Sequence, residues 1–292
     1  DHLLVVDSCY FPARRLCDKF FTRMGVETTY YDARIGAGID DLIRPNTKAI
    51  LLESPGSLTF ELQDVPAIAE VARRRGVTTI IDNTWATPLF LKPLDLGVDI
   101  SLHAGTKYFI GCSDGLLGTV TANERMWPAL KETWSVFGEA AAPDVAYLGQ
   151  RGIRSLAVRL EHSQRSGLDV ASWLEGQPGV ARVLHPGLPS HPDHAIFKRD
   201  FTGSTSLFGV VMKPGPREAL AALIDGLELF GIGASWGGYE SLAIPFDPVR
   251  TAVKWDGEGP SVRLYIGLED TADLKADLKA GLKRWQAAGG TA

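Results

Sequence analysis

The chain of 292 residues has no long apolar run. No stretch approaches the roughly 20 residues that a membrane-spanning helix needs, and none reads as a signal peptide, so a membrane location is not expected. Cysteine is scarce. Cys9, Cys17 and Cys112 are the only three, and they follow neither a disulfide framework nor a Cys-x-x-Cys spacing. Reduced thiols in a cytoplasmic protein are the reading that follows. An excess of positive charge is also lacking: 30 Lys and Arg face 35 Asp and Glu, a net charge of −5. The sole basic cluster, Arg73-Arg74-Arg75, closes a predicted helix, where basic side chains complement the dipole, so no nucleic-acid partner is expected. Internal repeats and low-complexity segments are missing too. So is an initiator methionine: the chain opens on Asp1-His-Leu-Leu-Val-Val-Asp7, already a strand, and reads as the interior of a longer protein. What is present is a 45% apolar and 22% charged composition, that of a globular protein with a large core.

From Leu3 to about Gly118, apolar strand-like runs alternate with helical patterns. Strands are predicted at 3–6, 28–31, 49–52, 77–81 and 116–121. Helical segments are predicted at 13–24, near 39–43, and at 65–75. The last has Asp64 as N-cap, Pro66 at its first turn and Gly76 as its stop. Continuous apolar strands alternating with helices predict an α/β fold, with a mostly parallel sheet sandwiched by helices. Residues 144–173 read as helical, with breaks at Gly149 and Gly152. Beyond Arg154, strands at 181–184, 207–212 and 262–266 alternate with helices at 216–226 and 271–285. That texture predicts a smaller α+β domain, dividing the chain into 1–153 and 154–292.

Two segments carry chemistry. Ile80-Ile-Asp-Asn-Thr-Trp85 ends an apolar run on Asp82. Twenty-five residues after that aspartate, Asp99-Ile-Ser-Leu-His-Ala-Gly-Thr-Lys107 ends another on Lys107. The carboxyl edge of such a sheet is where ligands bind. A lysine packed among Leu102, Tyr108, Phe109 and Ile110 is partly desolvated, which disfavours its ammonium and frees the amine as base or nucleophile. A lysine and an acid so placed suit pyridoxal phosphate (PLP), which needs a Schiff-base lysine and a partner for its pyridinium nitrogen. The structural alternative for Asp82 is an Asx turn at a strand end. His185, His191 and His194 lie in a loop beside Pro178, Pro186, Pro189 and Pro192 and match no zinc spacing, so no metal is expected. Gly36-Ala-Gly38 is too short for a dinucleotide fingerprint.

Ile81-Asp-Asn-Thr-Trp85, Ser101-x-x-Ala-Gly-Thr-Lys-Tyr108 and Gly111-Cys-Ser-Asp114, together with Glu53-Ser-Pro-Gly-Ser57, Ser235-Trp-Gly-Gly-Tyr-Glu-Ser-Leu242 and Arg263-Leu-Tyr-Ile-Gly-Leu-Glu-Asp270, resemble the Cys/Met-metabolism family of PLP enzymes across nearly the whole chain. The resemblance implies the type I fold of PLP-dependent transferases, with 1–153 as the PLP-binding domain. It implies Lys107 as Schiff-base lysine and proton shuttle, Asp82 against the pyridine nitrogen, and Thr106 at the cofactor phosphate. Tyr10 is implied as the aromatic stacked on the ring and as a helper in proton transfer. Arg263 would grip the substrate α-carboxylate with its planar fork, and Ser235 and Trp236 would line the same site. Many relatives carry a second phosphate-binding hydroxyl where this chain has Ala104.

Within the family, Ser54-Pro-Gly-Ser57 and Ser235 to Leu242 are most similar to the bacterial cystathionine β-lyase branch. That implies cleavage of the amino-acid substrate L-cystathionine to homocysteine, pyruvate and ammonia, in methionine biosynthesis and transsulfuration. A γ-lyase, γ-synthase or methionine γ-lyase is the alternative within the family, and a non-catalytic binding protein the alternative outside it. The resemblance also implies a homotetramer, a dimer of dimers with shared sites. It places a phosphate-binding turn and an N-terminal Tyr/Arg arm upstream of Leu3, outside these residues.

Overall fold

The structure is a computed structural model describing residues 1–292. Its first sheet has six strands: β1 (His2–Val6), β2 (Glu27–Tyr31), β3 (Thr47–Glu53), β4 (Thr78–Asp82), β5 (Ile100–His103) and β6 (Thr119–Ala122). They lie in the order β2-β1-β3-β4-β5-β6. The first five run parallel, and β6 is antiparallel at the edge. From β1 the chain moves outward to β2 and then crosses back to β3, so the winding reverses between β1 and β3. In an open α/β sheet such a reversal opens a crevice at the carboxyl ends of the strands.

The helices of this part are α1 (Phe11–Arg15), which continues through wider π turns to Phe21, then α2 (Val65–Arg75), α3 (Thr87–Phe90), α4 (Trp127–Phe137) and α5 (Pro143–Ile153). In α2, Asp64 accepts from the N–H of Ala67 at 3.3 Å, and Gly76 closes the helix at φ 69°. Both are the roles expected of those residues. The long helix α6 (Leu156–Glu175) leads into a four-stranded antiparallel sheet, β7-β8-β10-β9, built from β7 (Val180–Leu184), β8 (Leu207–Met212), β9 (Leu242–Phe246) and β10 (Ser261–Tyr265). Helices α7 (His194–Asp200), α8 (Arg217–Asp225) and α9 (Thr271–Ala287) complete it. The mostly parallel sheet flanked by helices and the smaller α+β part are as expected.

Some details differ. Gly149 and Gly152 do not break a helix; both lie inside α5, and the interruption falls at Arg154-Ser155. A Cβ at Gly149 would crowd Leu117, and one at Gly152 would overlap the carbonyl oxygen of Phe109. These glycines let a helix approach closely rather than stop. The strand expected from Leu116 begins only at Thr119, because Leu117 instead accepts the Thr106 backbone N–H and gives its own N–H to the Thr106 hydroxyl. Helices α4 and α7 and strand β9 were not expected. Neither helix fully buries a residue: α4 carries its apolar stripe, Trp127, Leu130, Trp134 and Phe137, away from the core, and the short α7 lays only half-buried Ile196 and Phe197 on it. β9 contains Pro245, which argues against a central strand, and it lies at the sheet edge, where proline is tolerated.

A core of 30 buried residues fills the space around the first sheet and reaches into the second part through Leu184, Leu207, Val211 and Tyr265. A second core of 22 residues lies between the antiparallel sheet and its helices, with Trp285 fully buried. No helix is long and apolar enough to cross a membrane.

Candidate active site

A cavity of about 690 Å³ opens at the carboxyl edge of the parallel sheet, over the point where the winding reverses. Segments after β1, β3, β4 and β5 form its floor, and Ser235, Trp236, the loop 247–250 and Arg263 of β10 form its opposite wall. Lys107, Asp82, Thr106, Tyr10, Arg263, Ser235 and Trp236 all line it. Residues at opposite ends of the chain thus meet in one space.

Asp82 ends β4, level with Glu53 on β3 and Leu102 on β5. Its Oδ1 accepts from the backbone N–H of Thr84 at 2.9 Å and from the Thr84 hydroxyl at 2.5 Å. That is the Asx turn expected of an aspartate at a strand end. The same hydroxyl accepts the N–H of Ala104 at 2.9 Å and so ties the Asp82 turn to the segment leading to Lys107. Oδ2 receives no hydrogen bond from the protein. Burial raises the Asp82 pKa; the Thr84 bonds and the Lys107 charge oppose this without reversing it. A buried carboxylate with one free oxygen fits a cationic N–H donor. A protonated pyridine nitrogen is such a donor.

Lys107 follows β5. Its Nζ donates to Ser235 Oγ at 2.6 Å and lies 5.1 Å from the centroid of the Trp236 ring. Trp236 in turn packs on buried Tyr108, with centroids 5.4 Å apart. Burial, helped by the nearby Arg263 charge and opposed by Asp82, pulls the lysine down to about 8. The amine is therefore much easier to deprotonate than a surface lysine.

Arg263 sits in the middle of β10, opposite Ile244 and Gly209. Burial lowers its pKa to about 10. Its Nη2 donates to the carbonyl oxygens of Ala234 at 2.8 Å and Gly233 at 3.3 Å, while buried Nε has no partner at all. No carboxylate lies within ion-pair distance of it, unlike Arg14 and Arg250 in the same cavity. A mostly buried guanidinium on the cavity wall, with an unpartnered N–H and no carboxylate near it, calls for an anionic ligand.

Tyr10 precedes α1, with its side chain 53% exposed and so available to a ligand. Its backbone N–H donates to Glu53 Oε2 at 2.6 Å, and the Ser57 hydroxyl donates to Glu53 Oε1 at 2.5 Å. Burial and the neighbouring Asp82 charge push the Glu53 carboxyl up. Thr106 lines the cavity, but its hydroxyl donates to Leu117 O at 3.2 Å and accepts Leu117 N–H at 2.9 Å. To bind a phosphate it would have to redirect its proton away from Leu117.

The far wall is fastened by buried charges. Asp7, after β1, accepts from Arg14, from Arg250 Nε at 3.1 Å, and from the N–H groups of Thr251, Ala252 and Val253 at 2.9–3.0 Å. Arg250 also reaches Glu61 at 2.6 Å. Burial pushes Asp7 up, but the Thr251 and Val253 N–H groups and the two guanidinium groups outweigh it and hold the carboxyl near 2.

Glu53, Thr84 and the Asp7–Arg250 clamp had no role among the sequence-based expectations. Glu53 could have been found, since like Asp82 it ends an apolar strand at the same edge. The clamp could not, because its two halves are 243 positions apart. The three loop histidines turn to backbone: His185 and His194 contact the carbonyl oxygens of Thr205 and Pro186, and His191 Nδ1 accepts the N–H of Asp193.

The profile of the family described as Cys/Met metabolism PLP-dependent enzyme matches residues 1–283. A cystathionine beta-lyase of Salmonella typhimurium is 46% identical over 292 residues, covering 97% of this chain and 74% of that protein. The corresponding cystathionine beta-lyase of Escherichia coli K12 is 44% identical, with the same two coverages. Among solved structures, a cystathionine gamma synthase from Xanthomonas oryzae pv. oryzae, in complex with aminoacrylate and cysteine, superimposes with a TM-score of 0.89. It is 31% identical, and the match covers 99% of this chain and 76% of that one. The likeness identifies the fold as type I of the PLP-dependent enzymes.

Proposed function

The chain belongs to the Cys/Met metabolism PLP-dependent enzyme family, and from that premise we propose that it is a carbon–sulfur β-lyase cleaving L-cystathionine to homocysteine, pyruvate and ammonia. The observation that carries this reading is the pairing of a readily deprotonated lysine with a carboxylate-seeking arginine across one cavity. Lys107 has its pKa at about 8, and Arg263 keeps buried Nε unpartnered. The first suits proton removal from a carbon acid; the second suits the α-carboxylate of an amino acid. Relatives at 44–46% identity are named β-lyases, whereas the solved γ-synthase is at 31%.

Lys107, Asp82 and Thr106 would hold PLP, with Tyr10 as the aromatic wall beside it. When bound, PLP supplies an electron sink for the charge left at the substrate Cα. The guanidinium of Arg263, whose Nη1 has no protein acceptor, orients the α-carboxylate and so fixes which Cα bond faces Lys107. Lys107 Nζ, steered by Ser235 Oγ, takes the Cα proton. Trp236, packed on Tyr108, covers the lysine and keeps bulk water from it. Asp82 Oδ2, free of protein donors, holds the proton of the ring nitrogen. Glu53 fixes the backbone of Tyr10 and so the position of its ring.

Keto-acid identification tests the reading. PLP-loaded protein given L-cystathionine should release pyruvate, and Lys107→Ala should abolish that release. Release of 2-oxobutyrate would instead place the chain among the γ-eliminating relatives. Neither acid, with the visible cofactor band absent, would indicate a binding protein without activity.

We further propose a cytoplasmic homotetramer, with residues 1–153 as the cofactor-binding unit and 154–292 as the smaller one. Helix α4 supports the assembly: it buries nothing within the chain and exposes Trp127, Trp134, Val136 and Phe137. Sedimentation at micromolar concentration checks it, and a monomer would refute it.

A further inference from the structure

The charged side chains that line the cavity can be accounted for one at a time. Asp7 is consumed by Arg14 and Arg250, and those two arginines by it. Glu53 accepts from Tyr10 and Ser57, and Asp82 from Thr84. Lys107 is bonded to Ser235. Two charged side chains remain: Arg263, which bonds only backbone carbonyl oxygens, and Asp247, just beyond the end of β9. Asp247 makes no hydrogen bond or ion pair with any protein group, and it is solvent-exposed on the cavity wall.

The position of Asp247 is nonetheless fixed. On its amino side the backbone is held in β9, paired to β10. On its carboxyl side Arg250 is buried between Asp7 and Glu61, and the next three N–H groups close on Asp7. A carboxylate on a loop held at both ends is pre-organised for a ligand and loses little freedom on binding one. Ile244 lies opposite Arg263, so Asp247 stands three residues further along, roughly 10 Å at the rise of an extended strand. That separation suits an extended thioether amino acid gripped by its α-carboxylate at Arg263. In L-cystathionine the far end carries an ammonium group beside a second carboxylate.

We propose that Asp247 is a specificity-determining residue that receives the distal ammonium group of the substrate. The inference rests on the lyase reading and deepens it. It makes a further distinction: the Asp247 carboxylate attracts a distal amine and repels a distal carboxylate. Asp247 therefore favours S-alkyl cysteines that end in an amine over those that end only in an acid.

The test compares three thioethers on PLP-loaded enzyme: L-cystathionine, S-(2-aminoethyl)-L-cysteine and S-(2-carboxyethyl)-L-cysteine, each yielding pyruvate. Asp247→Asn should lower kcat/KM for the first two about tenfold or more, as for loss of a charged hydrogen bond, with KM moving more than kcat. The carboxyethyl compound should be unaffected or improved. Equal losses for all three, or no loss for the aminoethyl compound, would overturn the proposal. Calorimetric binding of S-(2-aminoethyl)-L-cysteine to the wild-type and Asp247→Asn proteins separates the same outcomes without turnover: weaker binding by the variant supports the role, and equal binding overturns it. If the wild-type releases pyruvate from none of them, the lyase reading fails, while the calorimetric difference still decides the role of Asp247.

Discussion

At the scale of the residue, the site turns on how three charges set one another. Burial and Arg263 pull Lys107 down, while Asp82 pushes it up. The two neighbours should therefore move its titration in opposite directions. In cofactor-free protein, selective reductive methylation of Lys107 against pH should show a midpoint near 8. Arg263→Gln should shift that midpoint upward, and Asp82→Asn downward. An unmoved midpoint in both variants would mean that burial alone governs the amine. Lys107 and Asp82 were legible in the sequence because one closely follows an apolar strand and the other ends one, a local pattern. Arg263 was legible as a charge between Val262 and Leu264 on a strand. The pinned state of Asp247 was not, since it depends on partners close in space and remote in sequence.

At the scale of the element, the turn that carries Lys107 is positioned by helix α5. Gly152 lies against Phe109 O, and Arg159 of α6 donates to Tyr108 O and Gly152 O, both at 2.8 Å, joining helix and turn. Gly152→Ala should force α5 away from this turn, at a cost of about 1–3 kcal/mol, typical of overpacking. Cofactor affinity should fall with it. Gly118→Ala, where an added Cβ meets nothing within 4 Å, is the control and should melt like the wild type. Equal melting of the two variants in a thermal scan would show that the helix can shift freely. Element types were largely legible, because strands and core-facing helices carry a burial period. The exceptions were elements whose burial is one-sided or lacking: the proline-bearing edge strand β9 and the exposed helix α4. The glycines of α5 misled because close approach and helix termination use the same residue.

At the scale of the whole molecule, Asp7 joins the first strand to the far wall of the cavity. Its carboxyl titrates near 2, below the unfolded value of about 3.9. The stabilisation it gives is therefore complete above the unfolded value and is lost as pH falls through the folded one. Asp7→Asn should destabilise the protein at neutral pH by about 3–5 kcal/mol, because two buried guanidinium groups lose their shared anion. It should also flatten the stability profile between about pH 4 and 2. Denaturant unfolding at pH 7 and pH 3 checks both, and a variant as acid-sensitive as the wild type would disprove the role. KM should rise as well, since loop 247–250 would lose its anchor.

The same long-range closure has a consequence in time. The lysine is made reactive by neighbours that emerge from the ribosome roughly 130–155 residues later, an interval on the order of 6–30 seconds at ~5–20 residues per second. Until Ser235, Trp236 and Arg263 arrive, Lys107 has the solvation of an ordinary side chain. A nascent chain therefore carries its nucleophile in an inactive form, and completion of the polypeptide arms it.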